Sequence, residues 1–343
     1  MNRTYTPEFL KYVAGNFDGD GCVVVGTNEC LSLGVDKAEK SMSVLKMLKE
    51  NFGGNIYCKK KKTATTQAKY EWKVNGRQAY RVIELIKDYT HIKRQQLEVA
   101  ATFDMDYRVT VYATRDGVER KFESNTAAAK AFGRSESQMR RELWYYNACI
   151  DGWKFRVIRR DAAMKAAVTA QRKGVDLELR RLKHVPHNPI QGSLIVEYLS
   201  GLFDSEGCIS VTSATLWKCA IPQGHSNILF ALKRQFGGNV FVSKKTANRG
   251  CWTLYRIPGK PFLESIRPML LEKGKQVDLV LNMTDDGARV NYELRKLKGN
   301  YTPKLTSAIS QYEPEEELDE DGEPMVEVTE TARGEAVVAP AVA

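Results

Sequence analysis

One stretch of this chain occurs twice, and any fold it adopts must accommodate both copies. Residues 12–25 read YVAGNFDGDGCVVV and residues 198–211 read YLSGLFDSEGCISV. Seven of the fourteen positions are identical: Tyr12/Tyr198, Gly15/Gly201, Phe17/Phe203, Asp18/Asp204, Gly21/Gly207, Cys22/Cys208 and Val25/Val211. Downstream, Phe52-Gly53-Gly54-Asn55-Ile56 matches Phe236-Gly237-Gly238-Asn239-Val240, and Lys93-Arg94-Gln95-Gln96 matches Lys273-Gly274-Lys275-Gln276. Trp72-Lys73-Val74 with Gly76 is aligned with Tyr255-Arg256-Ile257 with Gly259. A period this long marks a duplicated structural unit, here about 6–105 and 191–298, flanking unrelated sequence.

Each copy carries the same hydrophobic plan. An apolar helix (8–18, 194–204) is expected to end at an acidic, glycine-containing turn, followed by two alternating strands (22–28 and 30–36; 208–214 and 216–222). An amphipathic helix (44–51, 228–235) stops at Phe-Gly-Gly, and two more strands (55–61 and 69–75; 239–245 and 251–257) lead to a further helical stretch. The fold class is therefore α+β, as two pseudo-symmetric units with antiparallel sheets.

The acidic turn admits several chemistries. Asn16, Asp18, Asp20 and Gly21 fit the first positions of a calcium loop, but Thr27 stands where the closing Glu belongs and the second copy would begin at Leu202, so that reading fails. Small residues at Ala14-Gly15 and Ser200-Gly201 let two helices approach closely, and twofold packing would bring their C-terminal acids together. Close carboxylates repel unless a cation lies between them, and hard oxygen ligands suit Mg²⁺ shared with phosphate.

Charge points to the partner. The chain of 343 residues carries +10, but residues 312–343 hold eleven acids against a single base, so residues 1–311 carry +20. A body that basic implies a polyanion, nucleic acid first. The acidic tail is expected to be disordered. No apolar run approaches the ~18 residues of a membrane helix, and Thr6-Pro7-Glu8 reads as a helix start rather than part of a leader, so neither membrane spanning nor export is expected. The seven cysteines are scattered and never spaced CxxC, which predicts reduced thiols.

At YVAGNFDGDG and YLSGLFDSEG the sequence resembles the paired motifs of a single-chain LAGLIDADG homing endonuclease. The resemblance implies that the last acid of each motif, Asp20 and Glu206, binds catalytic Mg²⁺. It further implies that Lys93 and Lys273, before the final helices, support the active-site water network. Lys37 and Gln223, at the ends of the second strands, would join them. The implied sheets form a saddle on the DNA major groove, with Asn55, Tyr57, Lys59 and Lys61 in one copy and Asn239, Phe241, Ser243 and Lys245 in the other facing the DNA. Ile56, Cys58, Val240 and Val242 would face the helices.

The intervening residues 107–160 carry twelve bases and six acids. A hairpin, two helices around Gly133 and a closing Trp153-Lys154-Phe155 give a helix-turn-helix plan, with Gln138, Arg140 and Arg141 on the second helix. SNTAAAKAFGRSESQMRREL also resembles the NUMOD-type helix-turn-helix attached to homing endonucleases. His184 and His187 lack metal-ligating companions, and Pro189 after His187-Asn188 argues against protein splicing.

The expected organisation is a first repeat (1–106), an inserted DNA-binding module (107–160), a helical linker (161–190), a second repeat (191–311) and the acidic tail (312–343). The expected function is a monomeric, Mg²⁺-dependent, site-specific double-strand DNA endonuclease, acting inside the cell in an organelle, bacterium or phage. The alternatives are an intron-RNA maturase on the same scaffold and a non-catalytic DNA-binding regulator.

Overall fold

The first helix begins where the sequence has a cap and a proline. Thr6 Oγ1 accepts from Phe9 N at 3.3 Å, Pro7 is the first helical residue, and α1 runs Pro7–Asp20. The computed structural model describes residues 4–26, 29–61, 67–103, 110–122, 124–145, 149–158, 162–183, 190, 192–213, 215–243, 250–284, 287–298, 325–330 and 336–338. Helix α1 runs two residues further at its C-terminal end than its hydrophobic pattern suggested. Asp18-Gly19-Asp20 is its last turn rather than a loop, and the chain passes directly into β1 (Gly21–Val25). Gly21 permits this because a Cβ there would lie 2.2 Å from the Phe17 ring.

The first repeat continues through β2 (Leu31–Ala38), α2 (Met42–Phe52), β3 (Asn55–Lys60), β4 (Lys69–Asn75), α3 (Arg77–Ile86) and α4 (Arg94–Ala101). The insertion comprises β5 (Thr110–Arg115), β6 (Val118–Phe122), α5 (Asn125–Ala131), α6 (Glu136–Tyr145), β7 (Cys149–Ile150) and β8 (Trp153–Ile158). After α7 (Ala162–Leu182) the second repeat follows as α8 (Val196–Glu206), β9 (Cys208–Val211), β10 (Trp217–Gln223), α9 (Ser226–Phe236), β11 (Asn239–Ser243), β12 (Gly250–Tyr255), α10 (Arg256–Ile266) and α11 (Gly274–Leu281). Helix α12 (Gly287–Leu297) packs on α11 and β9. Within the tail expected to lack order, β13 (Met325–Glu330) and β14 (Ala336–Val338) are described, and β13 pairs antiparallel with β11. The rest of 312–343 lies outside the described residues, as do His184 and His187.

The two repeat sheets have the same order, β1-β2-β4-β3 and β9-β10-β12-β11, the second extended by β13 and β14. Their register defines equivalent positions. Cys22 faces Gly34 and Cys208 faces Ala220, so Lys37 and Gln223, three residues further along, occupy the same place. Trp72 faces Val35 and Trp252 faces Ile221, which makes these two tryptophans equivalent. Each indole donates at 2.8 Å to the carbonyl of the first glycine after the preceding helix, Gly53 or Gly237. The alignment of Trp72 with Tyr255 is therefore three residues out. Gly76 and Gly259 are likewise not equivalent, since Gly76 (φ 62°) precedes α3 whereas Gly259 lies inside α10.

Helices α1 and α8 cross at the pseudo-twofold axis. A Cβ on Gly15 would lie 1.9 Å from Tyr198 O, and one on Gly201 would lie 1.9 Å from Tyr12 O. The backbones touch, so no side chain larger than hydrogen fits at either position. Val13, Phe17, Leu199 and Phe203 join one core that spans both repeats. The linker helix is part of that body, because Val168, Val175 and Leu179 of α7 enter the same core. The insertion has a separate small core of Val111, Ala128, Ala129, Met139, Leu143 and Ile150. Among the described residues no helix is long and apolar enough to cross a membrane.

Gly15→Ala should lower stability by about 3 kcal/mol in denaturant unfolding, because neither helix backbone can yield without parting the seam. Gly174→Ala, at an exposed site in α7 with nothing within 4 Å of the added Cβ, should gain about 0.5–1 kcal/mol. Equal effects at the two sites would contradict the close-contact seam.

Candidate active site

The seam ends in four carboxylates that divide into two kinds. Asp18 and Asp204 are buried and saturated with hydrogen bonds. Asp18 accepts from His91 N (2.7 Å), Ile92 N (2.9 Å) and Lys93 N (2.8 Å), the residues leading into α4. Asp204 accepts from Leu271 N (2.7 Å), Glu272 N (3.2 Å) and Lys273 N (2.9 Å), leading into α11. Each also accepts a phenol from the opposite repeat, Tyr198 Oη on Asp18 and Tyr12 Oη on Asp204, both at 2.8 Å. Burial, with the neighbouring carboxylate, raises the pKa of both tyrosines, so both phenols stay protonated donors. These two aspartates bind each seam helix to the start of a later helix and have no oxygen left for a ligand.

Asp20 and Glu206 are the other kind. Each is the last residue of its helix, one from each repeat. The two come close together at the seam: a Cβ on Gly19 would lie 2.3 Å from Ser205 Cβ and 3.2 Å from Glu206 Cγ. Glu206 has a raised pKa, first from burial and then from the charge of Asp20, against the opposing pull of Lys93, Lys273 and Lys37. Ionised together, the pair is electrostatically unfavourable in the protein alone.

Three lysines surround this pair. Lys93 Nζ turns back to donate to Phe17 O (2.9 Å) and Gly19 O (2.8 Å), and Lys273 Nζ to Phe203 O (2.7 Å) and Ser205 O (3.1 Å). They therefore satisfy the last carbonyls of α1 and α8 and place positive charge at the negative helix ends. Burial lowers the pKa of both, and for Lys273, with the Lys37 charge adding to the effect, to about 8. Lys37 reaches Asp20 Oδ2 at 2.8 Å, Ser205 Oγ at 3.3 Å and Glu272 Oε1 at 3.6 Å.

The structure thus brings Asp20, Glu206, Lys93, Lys273 and Lys37 into one cluster. Gln223 does not take the corresponding role. Its Oε1 accepts from Gly224 N at 2.7 Å, and its buried Nε2 has no hydrogen-bond partner. Sequence reasoning missed Glu272 and Ser205, which reach the cluster from the second repeat. It also left the Tyr12/Tyr198 identity unused, although a tyrosine kept in both copies two turns before the acid was the available signal.

On the saddle, Tyr57 is 46% exposed and Asn55 is also exposed. Lys59 is engaged with Asp36 (2.7 Å) and Glu71 (3.8 Å), while Lys61 follows β3 in the open. Cys58 was expected to face the helices but is exposed, because the register shifts between Cys58 and Lys60 and breaks the alternation. In the second copy Val240 is buried, and Asn239 and Phe241 are half-buried. Ser243 lies in β11, whereas Lys245 is outside the described residues. On α6 of the insertion, Gln138 is a cap: its N–H donates to Ser135 Oγ and its Oε1 accepts from Ser135 N. Arg140 pairs with Glu136 at 3.0 Å, and Arg141 is exposed.

No family model matches the sequence, and neither does any curated protein. Solved structures do match. The I-LtrWI LAGLIDADG homing endonuclease bound to target DNA superposes with a TM-score of 0.51 at 13% identity, over 86% of this chain and 98% of that one. The chain has the two-repeat LAGLIDADG fold. Weaker similarity extends to I-GzeII in complex with its DNA target (TM-score 0.49, 14% identity, 87% of this chain and 99% of that one). I-SmaMI bound to an uncleaved DNA target with calcium ions also matches (TM-score 0.43, 14% identity, 85% of this chain and 98% of that one).

The raised pKa of Glu206 carries a consequence for stability. Its folded value lies above the unfolded value of 4.5, so its ionisation disfavours the fold as pH rises through that folded value. In chelator, Glu206→Gln should unfold at a higher denaturant midpoint than wild type at pH 8, with the advantage shrinking toward pH 4.5. A constant difference across that range would mean that Glu206 is not electrostatically frustrated.

Proposed function

We propose that this protein is a site-specific DNA endonuclease that hydrolyses one phosphodiester on each strand of a duplex with the help of Mg²⁺. The observation that carries this reading is the meeting of Asp20 and Glu206, each from its own repeat, inside a ring of buried lysines. Two carboxylates held together against their repulsion serve no purpose in a protein that only binds DNA, since they would repel phosphate. A solved structure that shares the fold at a TM-score above 0.5 is a homing endonuclease bound to its DNA target, which supports the same reading.

The donor set fits a magnesium ion. Among the described residues no three or more His, Cys, Asp or Glu side chains cluster in metal-holding geometry, and the two carboxylates that meet at the seam are those of Asp20 and Glu206. Mg²⁺ keeps several waters and commonly takes one or two carboxylates plus phosphate oxygens. When bound, the ion supplies positive charge at the scissile phosphate and lowers the pKa of water.

The remaining roles belong to the chain. Asp20 and Glu206 would hold the cation, and the carboxylates, related by the pseudo-twofold axis, would serve the two strands. Lys93 and Lys273, fixed by helix-end carbonyls, provide positive charge that needs no reorganisation as the phosphate gains charge. Asn55, Tyr57 and Lys61 on one sheet, and Asn239 and Phe241 on the other, would read base edges and phosphates. The insertion acts as an accessory DNA-binding unit, with Arg141 its unpaired base on α6 among the described contacts.

Asp20→Asn and Glu206→Gln should each abolish double-strand cleavage of a duplex selected from a randomised library, while affinity for that duplex persists or tightens. Ca²⁺ should support binding without efficient cutting. Wild-type cleavage of both strands by either variant would refute the assignment.

A further inference from the structure

The cluster is not symmetric, and the asymmetry is built from two residues. Lys37 belongs to the first repeat and Glu272 to the second, and they meet across the seam at 3.6 Å with side chains only 3% and 7% exposed. Their counterparts on the other side are different in kind. Gln223 occupies the position of Lys37, by the register of β10 on β9. Ile92 occupies that of Glu272, since each precedes the active-site lysine and donates its N–H to the buried aspartate. A buried ion pair on one side is thus replaced by an amide and a hydrocarbon on the other.

Glu272 is not needed to hold the fold at that point. The bond to Asp204 uses its backbone, which any residue supplies, and Ile92 does the same work in the first repeat. Its side chain is instead anchored by the Ser41 hydroxyl, leaving Oε1 buried without a hydrogen-bond donor and directed at Lys37. A buried carboxylate is costly unless it is paired. Lys37 in turn lies close enough to Lys273 to repel its charge, so a fixed anion is required to keep both ammonium groups in place.

We propose that Glu272 is a positioning residue that pins the Lys37 ammonium against Asp20, giving one half of the active centre a fixed cation that the other half lacks and making the protein cut one strand ahead of the other. The proposal rests on the nuclease reading. Lys37 is held at three oxygens, those of Asp20, Ser205 and Glu272, two of them from the opposite repeat, and so it moves with the seam rather than with its own sheet. A cation locked at that point stabilises charge developing on only the nearer phosphate.

Each strand of the selected duplex is labelled with its own fluorophore, and single-turnover nicking is followed strand by strand. Wild type should cut one strand first. Glu272→Gln and Lys37→Gln should each slow that strand by about tenfold more than they slow the other. The Lys37→Gln/Glu272→Gln double variant should be no slower than Lys37→Gln alone, because the residues act as a unit. Should Glu272→Gln not fold, Lys37→Gln/Glu272→Ile reproduces the pair already tolerated on the other side and should cut both strands at equal rates. Equal slowing of both strands, or additive losses in the double variant, would overturn the proposal. A separate readout needs no DNA: the Lys37 ammonium should give a slowly exchanging ¹⁵N signal in metal-free wild type that is lost in Glu272→Gln. If the signal behaves so but wild type cleaves no DNA, the nuclease reading fails and the pinning stands. If wild type cleaves and the signal is unchanged in Glu272→Gln, the pinning fails alone.

Discussion

The structure depends on two helix backbones in contact. Where Gly15 meets Tyr198 O and Gly201 meets Tyr12 O, there is no room for a side chain, and the approach distance is set by the main chain itself. The approach brings the C-terminal turns of α1 and α8 together, and with them Asp20 and Glu206. It also sets the reach of the reciprocal phenols, since Tyr12 and Tyr198 span to Asp204 and Asp18 only at this separation. Each aspartate then orients the start of α4 or α11, which aims Lys93 or Lys273 back at the carbonyls beside the acids. Seam, phenol, carboxylate, helix start and lysine form one closed chain of contacts in each half.

That chain explains why two aspartates two residues apart, on different sides of one helix, have opposite fates. Asp18 is consumed by three backbone donors and a phenol, which occupy both of its oxygens. Asp20 has the neighbouring helix acid as its companion, relieved only by lysine. Structural support and the carboxylate left open at the seam therefore fall to different members of one short motif.

Much of this could be read from the residues. The duplicated motif disclosed the two α+β units and their antiparallel sheets, because those positions recur at fixed spacing, and the family resemblance singled out Asp20, Glu206, Lys93, Lys273 and Lys37, which the structure brings into one cluster. What spacing does not disclose is contact between repeats. Glu272 looks like an ordinary charged residue next to Lys273, and its role appears only when Lys37 arrives from the other copy. The tryptophan alignment slipped by three residues because Tyr255-Arg256, at the end of β12 and the start of α10, mimics the aromatic-basic pair Trp72-Lys73, and only strand register separates them. The bulge at Cys58 was invisible for a related reason: a period of two, read along one strand, carries no information about where that strand holds an extra residue against its partner.

The central claim is that the seam places one carboxylate from each repeat on a shared divalent cation at the DNA. Anomalous diffraction from crystals of the protein grown with Mn²⁺ and a selected duplex tests it most directly. The account predicts anomalous density between the Asp20 and Glu206 carboxylates, in contact with phosphate oxygens of the duplex. Density confined to one acid, or located away from the ends of α1 and α8, would contradict it.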